Sequence, residues 1–169
     1  MSPGNARLST GRPPLYAQAA SVLDASAADD GRQNDAMDTD MLDVDSGADL
    51  VTDITEMLLQ FCRGRGDGLC HVFVPHATAG VAVLETGSGT ETDLADAVER
   101  ILPRAEHYRH RHGSPGHGRD HVLPTFVSPS LVVPVLRGVP ALGTWQSVVL
   151  VDSNVDNPRR QVRLSFLPG

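Results

Sequence analysis

The sequence predicts an α+β fold, a mostly antiparallel sheet with two helices on one face. Three observations carry this. Six short apolar runs bounded by Gly, Pro, Asn or Asp recur along the chain at strand spacing, whereas only two segments place apolar residues at helical spacing. The last run alternates Val162, Leu164 and Phe166 with Gln161, Arg163 and Ser165, as a strand does when one face is buried.

Taken in order, Met41, Leu42 and Val44 predict a short strand, followed by a turn at Gly47. Leu50, Ile54, Met57, Leu58 and Phe61 then fall on one helical face; Asp53 with Glu56 three residues on reads as a capping box, and Gly64 as the stop. Leu69–Val74 reads as a buried strand broken by Pro75, and Gly80–Leu84 as the next, with the polar pair His76 and Thr78 at the junction. A second helix is expected from Thr90 as N-cap, with acidic residues in its first turn and Leu94, Val98, Ile101 and Leu102 on one face before Pro103. The polar stretch from Arg104 to His121 holds five of the seven histidines and reads as a long surface loop, in which Pro115 and Gly118 oppose a helix. Three strands follow, Leu131–Leu136, Thr144–Val151 and Gln161–Leu167, joined by turns at residues 137–140 and 153–158.

A chain of 169 residues supports one sizeable core. Residues 1–37, rich in Ala, Ser, Asp, Gly and Pro, are expected to be a disordered extension, with Leu15–Leu23 either a weak Ala-rich helix or the product of a start codon set too far upstream. The domain then runs from 38 to 169. Most of the net charge of −7 sits in residues 1–45, so the domain is nearly neutral and offers no long-range pull on nucleic acid or an anionic membrane. The chain contains no Lys, which excludes Schiff-base chemistry on that side chain; Arg-favouring codon usage accounts for the bias. Cys62 and Cys70 have neither metal-site nor disulfide spacing and read as buried thiols, and the absence of a membrane-length apolar run or a signal peptide points to the cytoplasm.

Several groups could carry chemistry, each with a plainer alternative. Small residues around His76 and Thr78 leave room for a ligand, although a turn histidine bonded to backbone explains them as well. Glu85 ends an apolar strand, where a carboxylate can ligate metal, act as general base, or simply meet solvent. His107, His110, His112, His117 and His121 have the chemistry of metal ligands or of an exposed His-rich loop. Trp145 and Gln146 stand at the start of an apolar strand, where a buried Gln needs a hydrogen-bond partner or the pair simply alternates across the sheet, and Arg159 and Arg160 can fork onto a phosphate or form a charged strand start. The Gly-rich stretch Gly87–Asp93 is acidic and unsuited to phosphate.

Read in order, His76-Ala77-Thr78-Ala79, Glu85, Tyr108-Arg109-His110, His121, Pro134-Val135-Leu136-Arg137-Gly138, Gly143-Thr144-Trp145-Gln146 and the terminal Arg159, Arg160 and Arg163 resemble the motif series of the YjbQ-like family, also called secondary thiamine-phosphate synthases. The match spans about Asp38 to Gly169; Leu84 and Ser88 depart from the family's Asn and Asp at those places. The resemblance implies an α+β homotrimer with a pocket near a subunit boundary. It also implies catalytic roles for His76, Glu85, His110 and His121, and a divalent metal, Zn or Mg, held by His76, His110 and His121. A small phosphorylated substrate would be bound by Thr78, Trp145, Gln146, Arg159 and Arg160. The implied reaction joins a pyrimidine pyrophosphate to a thiazole phosphate. Metal-assisted hydrolysis or isomerisation of a small anionic metabolite, and a non-catalytic trimeric metal- or metabolite-binding module, are the alternatives for the same residues.

Overall fold

The structure, a computed structural model, describes residues 37–105 and 107–169. The expected extension, its last residue excepted, and the Leu15–Leu23 segment lie outside the described residues. The chain forms β1 (Asp38–Asp45), β2 (Val51–Asp53), α1 (Thr55–Cys62), β3 (Gly68–Phe73), β4 (Ala79–Leu84), α2 (Thr90–Ile101) and a one-turn α3 (His117–Asp120). A 3-10 turn (Leu123–Thr125), β5 (Ser130–Leu136), β6 (Val139–Pro140), β7 (Ser147–Asp152) and β8 (Arg159–Pro168) complete the described residues.

The strands build two antiparallel sheets rather than one: a five-stranded sheet ordered β1-β8-β3-β5-β6 and a three-stranded sheet ordered β2-β7-β4. The alternation along β8 holds from Gln161 to Leu164, with Val162, Leu164 and Phe166 buried and Gln161 and Arg163 exposed, but Ser165 on the outer face is buried as well, its hydroxyl 3.0 Å from Thr39 Oγ1. In β7 every residue from Val148 to Val151 is fully buried. Val148 and Leu150 face the main core with Leu58, Val72 and Leu164, while Val149 and Val151 face a second cluster with Val98, Leu102 and Leu123.

That double burial corrects the expected placement of the helices. The buried face of α1 (Leu58, Phe61, Cys62) belongs to the main core and that of α2 (Val98) to the second cluster, so the two lie on opposite sides of the three-stranded sheet. A central strand apolar on both faces must be covered on both, and one helix covers only one.

Both predicted N-caps also shift. Val51–Asp53 pairs with β7, so the first helix begins at Thr55; Asp53 Oδ1 accepts the Thr55 N–H at 2.8 Å, and Glu56 accepts from Gln60 instead of closing a capping box. In α2 the cap is Gly89, and Thr90 is already helical. The stretch expected as an exposed loop contains α3, whose four residues are buried. Pro115 precedes that turn, where its missing N–H breaks no helical bond. Among the described residues no helix is long and apolar enough to cross a membrane.

Candidate metal centre

The turn α3 hangs from the C-terminal end of β7. Asp120, fully buried, accepts the Ser153 hydroxyl at Oδ1 (2.6 Å), and Arg104 Nη2 donates to the Ser153 carbonyl (2.7 Å) while lying 3.5 Å from the same Oδ1. Arg119 ties the turn to the end of α2 by donating to the Leu102 carbonyl (3.1 Å) and pairing with Glu99. Because His117 and His121 stand one helical turn apart, their rings meet, with Nε2 atoms 3.1 Å from each other.

Gly118 brings in the other two rings. A Cβ there would sit 2.3 Å from Tyr108 Cβ, so only glycine lets the 108–112 segment lie on α3 and carry His110 and His112 to it. Ring centroids are 4.2 Å apart for His110–His121 and 5.3 Å for His112–His117. One ring nitrogen from each of His110, His112, His117 and His121 falls within 4.8 Å of the others.

These distances fit an ion. Two nitrogens about 2.0–2.1 Å from a shared tetrahedral centre stand roughly 3.4 Å apart, close to the His117–His121 separation, so donors at the 4.8 Å limit of the group would close by about 1.4 Å around the ion. Burial pushes the pKa of His110 and His121 down, reinforced by the positive charge of the neighbouring imidazoles when protonated and opposed at His121 by Asp120. The neutral ring, which ligates metals, is therefore favoured. The cluster opens on a cavity of about 650 Å³ whose wall includes Arg104, Tyr108, Arg111 and Ser114.

Of the residues expected at the site, His110 and His121 are thus brought together. His76 stands outside the group within this chain: its Nε2 accepts the Gln161 N–H at 2.8 Å. Arg160, only 3 % exposed, forks onto Asp152 through Nε–Oδ2 (2.5 Å) and Nη2–Oδ1 (3.0 Å) and donates to Thr78 Oγ1 (3.3 Å). Arg159 is exposed beside it. Glu85, Trp145 and Gln146 lie at the far end of the three-stranded sheet, since Leu84 pairs with Ser147 whereas Ala79, near His76, pairs with Asp152. There Glu85 accepts the Ser88 hydroxyl (3.0 Å) and Gln146 Oε1 the Gly143 N–H (2.7 Å), while Trp145 is 73 % exposed. His112 and His117 have no part in the metal set that the resemblance implies; the His-x-His and His-x-x-x-His spacings are their signal in the sequence, masked by Pro115 and Gly118.

A family model described as UPF0047 protein YjbQ-like matches residues 41–169. A UPF0047 protein of Mycobacterium tuberculosis is 62 % identical over 133 residues, covering 79 % of this chain and all of that protein. One from Archaeoglobus fulgidus is 30 % identical over 66 % of this chain and 87 % of its own length. Among solved structures, a hypothetical protein of Aeropyrum pernix is similar with a TM-score of 0.71 and 29 % identity, over 79 % of this chain and all of that one. A YbjQ-like protein of unknown function from Sulfolobus solfataricus reaches a TM-score of 0.73 at 24 % identity, over 79 % and 99 % of the two chains, a likeness of fold.

Proposed function

Because this chain belongs to the YjbQ-like UPF0047 family, whose members named above are described by family and not by reaction, we propose its function from the site: it binds a divalent transition-metal ion through His110, His112, His117 and His121 and acts on a small anionic metabolite in the adjoining cavity. The observation that carries this is the convergence of four imidazole donors within 4.8 Å. Imidazole suits Zn, Ni, Cu or Fe, whereas Mg²⁺ takes oxygen ligands. When bound, such an ion supplies Lewis-acid activation. Arg104 and Arg111, in the cavity wall, supply positive charge for a phosphate or carboxylate. Metal-assisted hydrolysis or isomerisation is the reaction class these parts serve best.

The thiamine-phosphate transfer implied by the resemblance asks for a pyrophosphate clamp with Mg²⁺, and the nitrogen-only donor set and the commitment of Arg160 to Asp152 place it second. A non-catalytic metal-binding module is favoured by one feature, namely that four imidazoles fill a tetrahedral shell and leave no open position. The homotrimer and the cytoplasmic setting belong to the same proposal. Elemental analysis of the untagged protein is expected to find one ion per chain, lost in His117→Ala and retained in His76→Ala. Hydrolysis of a phosphomonoester panel that disappears with the metal supports the enzyme; stoichiometric metal without turnover on any panel member supports the module. A metal-free wild type after loading with Zn²⁺ or Co²⁺ overturns both.

A further inference from the structure

The ring of His117 is held from behind. Its Nδ1 lies 3.1 Å from Asp156 Oδ2 and 3.4 Å from Asp120 Oδ2. His117 is 7 % exposed, and its Nδ1 and Asp120 Oδ2 are both buried without a well-aligned hydrogen bond, so the two carboxylates are the polar groups nearest to that nitrogen. Two carboxylate oxygens facing one buried ring nitrogen require a proton on that nitrogen, because the other tautomer would set a lone pair against two anions. With the proton on Nδ1, the Nε2 lone pair points to where His121 Nε2 stands, 3.1 Å away.

The surrounding chain is shaped to this contact. Gly113 has φ +83°, and a Cβ there would lie 2.5 Å from His117 Cγ and 2.9 Å from Asp156 Oδ2, so a side chain would drive the ring and the carboxylate apart. The Ser114 N–H donates to the same Asp156 Oδ2 at 3.1 Å. The two carboxylates differ in what else they do: Asp120 also accepts from Ser153 and lies beside Arg104 and Arg119, whereas the Asp156 carboxylate otherwise meets Ser114.

We propose that Asp156 is a positioning residue of the metal centre: supplied by the 153–158 turn, its carboxylate fixes the Nδ1–H tautomer and the ring orientation of His117, so that Nε2 is presented to the ion. The inference rests on the metal reading above and deepens it, joining the turn after β7 to a site whose ligands all come from residues 110–121. Carboxylates behind ligating imidazoles typically change metal affinity by about 10–100-fold.

The test is titration of the full-length apo protein with Co²⁺, followed by its visible absorption, for wild type, Asp156→Ala and Asp156→Asn. Asp156→Ala is expected to bind roughly 10–100-fold more weakly with an altered ligand-field spectrum. Asp156→Asn, which keeps an acceptor but not the charge, is expected to fall between the two. ¹⁵N shifts of the His117 ring in the apo protein should report the Nδ1–H tautomer in wild type and its loss in Asp156→Ala, a change that a merely structural role would not produce. A wild type that binds no Co²⁺ overturns the metal reading together with this inference. A wild type that binds, matched by Asp156→Ala with the same affinity and spectrum, overturns the inference alone.

Discussion

Arg160 carries a full charge into the interior and meets it there with Asp152, whose carboxylate also accepts the Ser46 hydroxyl at 2.9 Å and the Asn154 N–H at 3.0 Å. Removing one partner of such a pair strands the other, so Arg160→Ala should cost about 3–5 kcal/mol of stability in urea unfolding, and the double variant Arg160→Met, Asp152→Leu distinctly less than the sum of the singles. His76 beside it is held neutral: burial lowers its pKa, the Arg160 charge lowers it further, and Asp152 opposes both. A lowered folded-state pKa means that the unfolded chain takes up the proton first. The contribution of His76 is therefore complete above the ordinary histidine value near 6.5, and is lost as pH falls from there through the folded value. Thermal midpoints of wild type and His76→Gln should converge as pH drops through that window; a constant gap would remove this account. Individual residues were the least legible scale in the sequence. Arg160 looks like an anion ligand until its register opposite Val44, at the buried end of β7, is known. His117 looks like a loop residue until Gly118 is seen to bring the chain back upon it.

At the scale of elements, legibility follows periodicity. β8 was readable because one of its faces is wet, and β3, β4 and β5 because Pro and Gly bound them. The helix starts were misplaced because Asp53 and Thr90 satisfy capping patterns locally, while pairing with β7 takes residues 51–53 into a strand and Gly89 takes the cap. The turn α3, four residues long, carried one periodic mark, His117 and His121 four apart, and is formed by what it touches: Tyr108, Ser153, Leu102 and Glu99. Two outcomes test this account. Gly118→Ala should separate the 108–112 segment from α3 and abolish metal retention in elemental analysis while leaving the strand content in circular dichroism intact. Leu150→Ala, in a strand covered on both sides, should cost about 2–5 kcal/mol without changing metal stoichiometry in the folded fraction.

For the molecule as a whole, the α+β class and the antiparallel pairing were legible, whereas the division into two sheets was not. That division depends on which strands β7 and β8 neighbour, and pairing across more than a hundred residues leaves no local mark. The same sheets set the two ends of the chain's surface apart. Ala79 and Leu84 are five residue steps apart along β4, about 17 Å at roughly 3.4 Å per step, and Trp145 flanks one end while His76 and the four-histidine cluster adjoin the other. A metabolite shorter than that cannot rest on the indole and reach the imidazoles of its own chain. Trp145 is the sole tryptophan, so its fluorescence works as a ruler. Cu²⁺ seated among the histidines should leave the emission of an isolated chain undimmed, and quenching that appears only in the assembled protein would mean that each copy lights the other's metal.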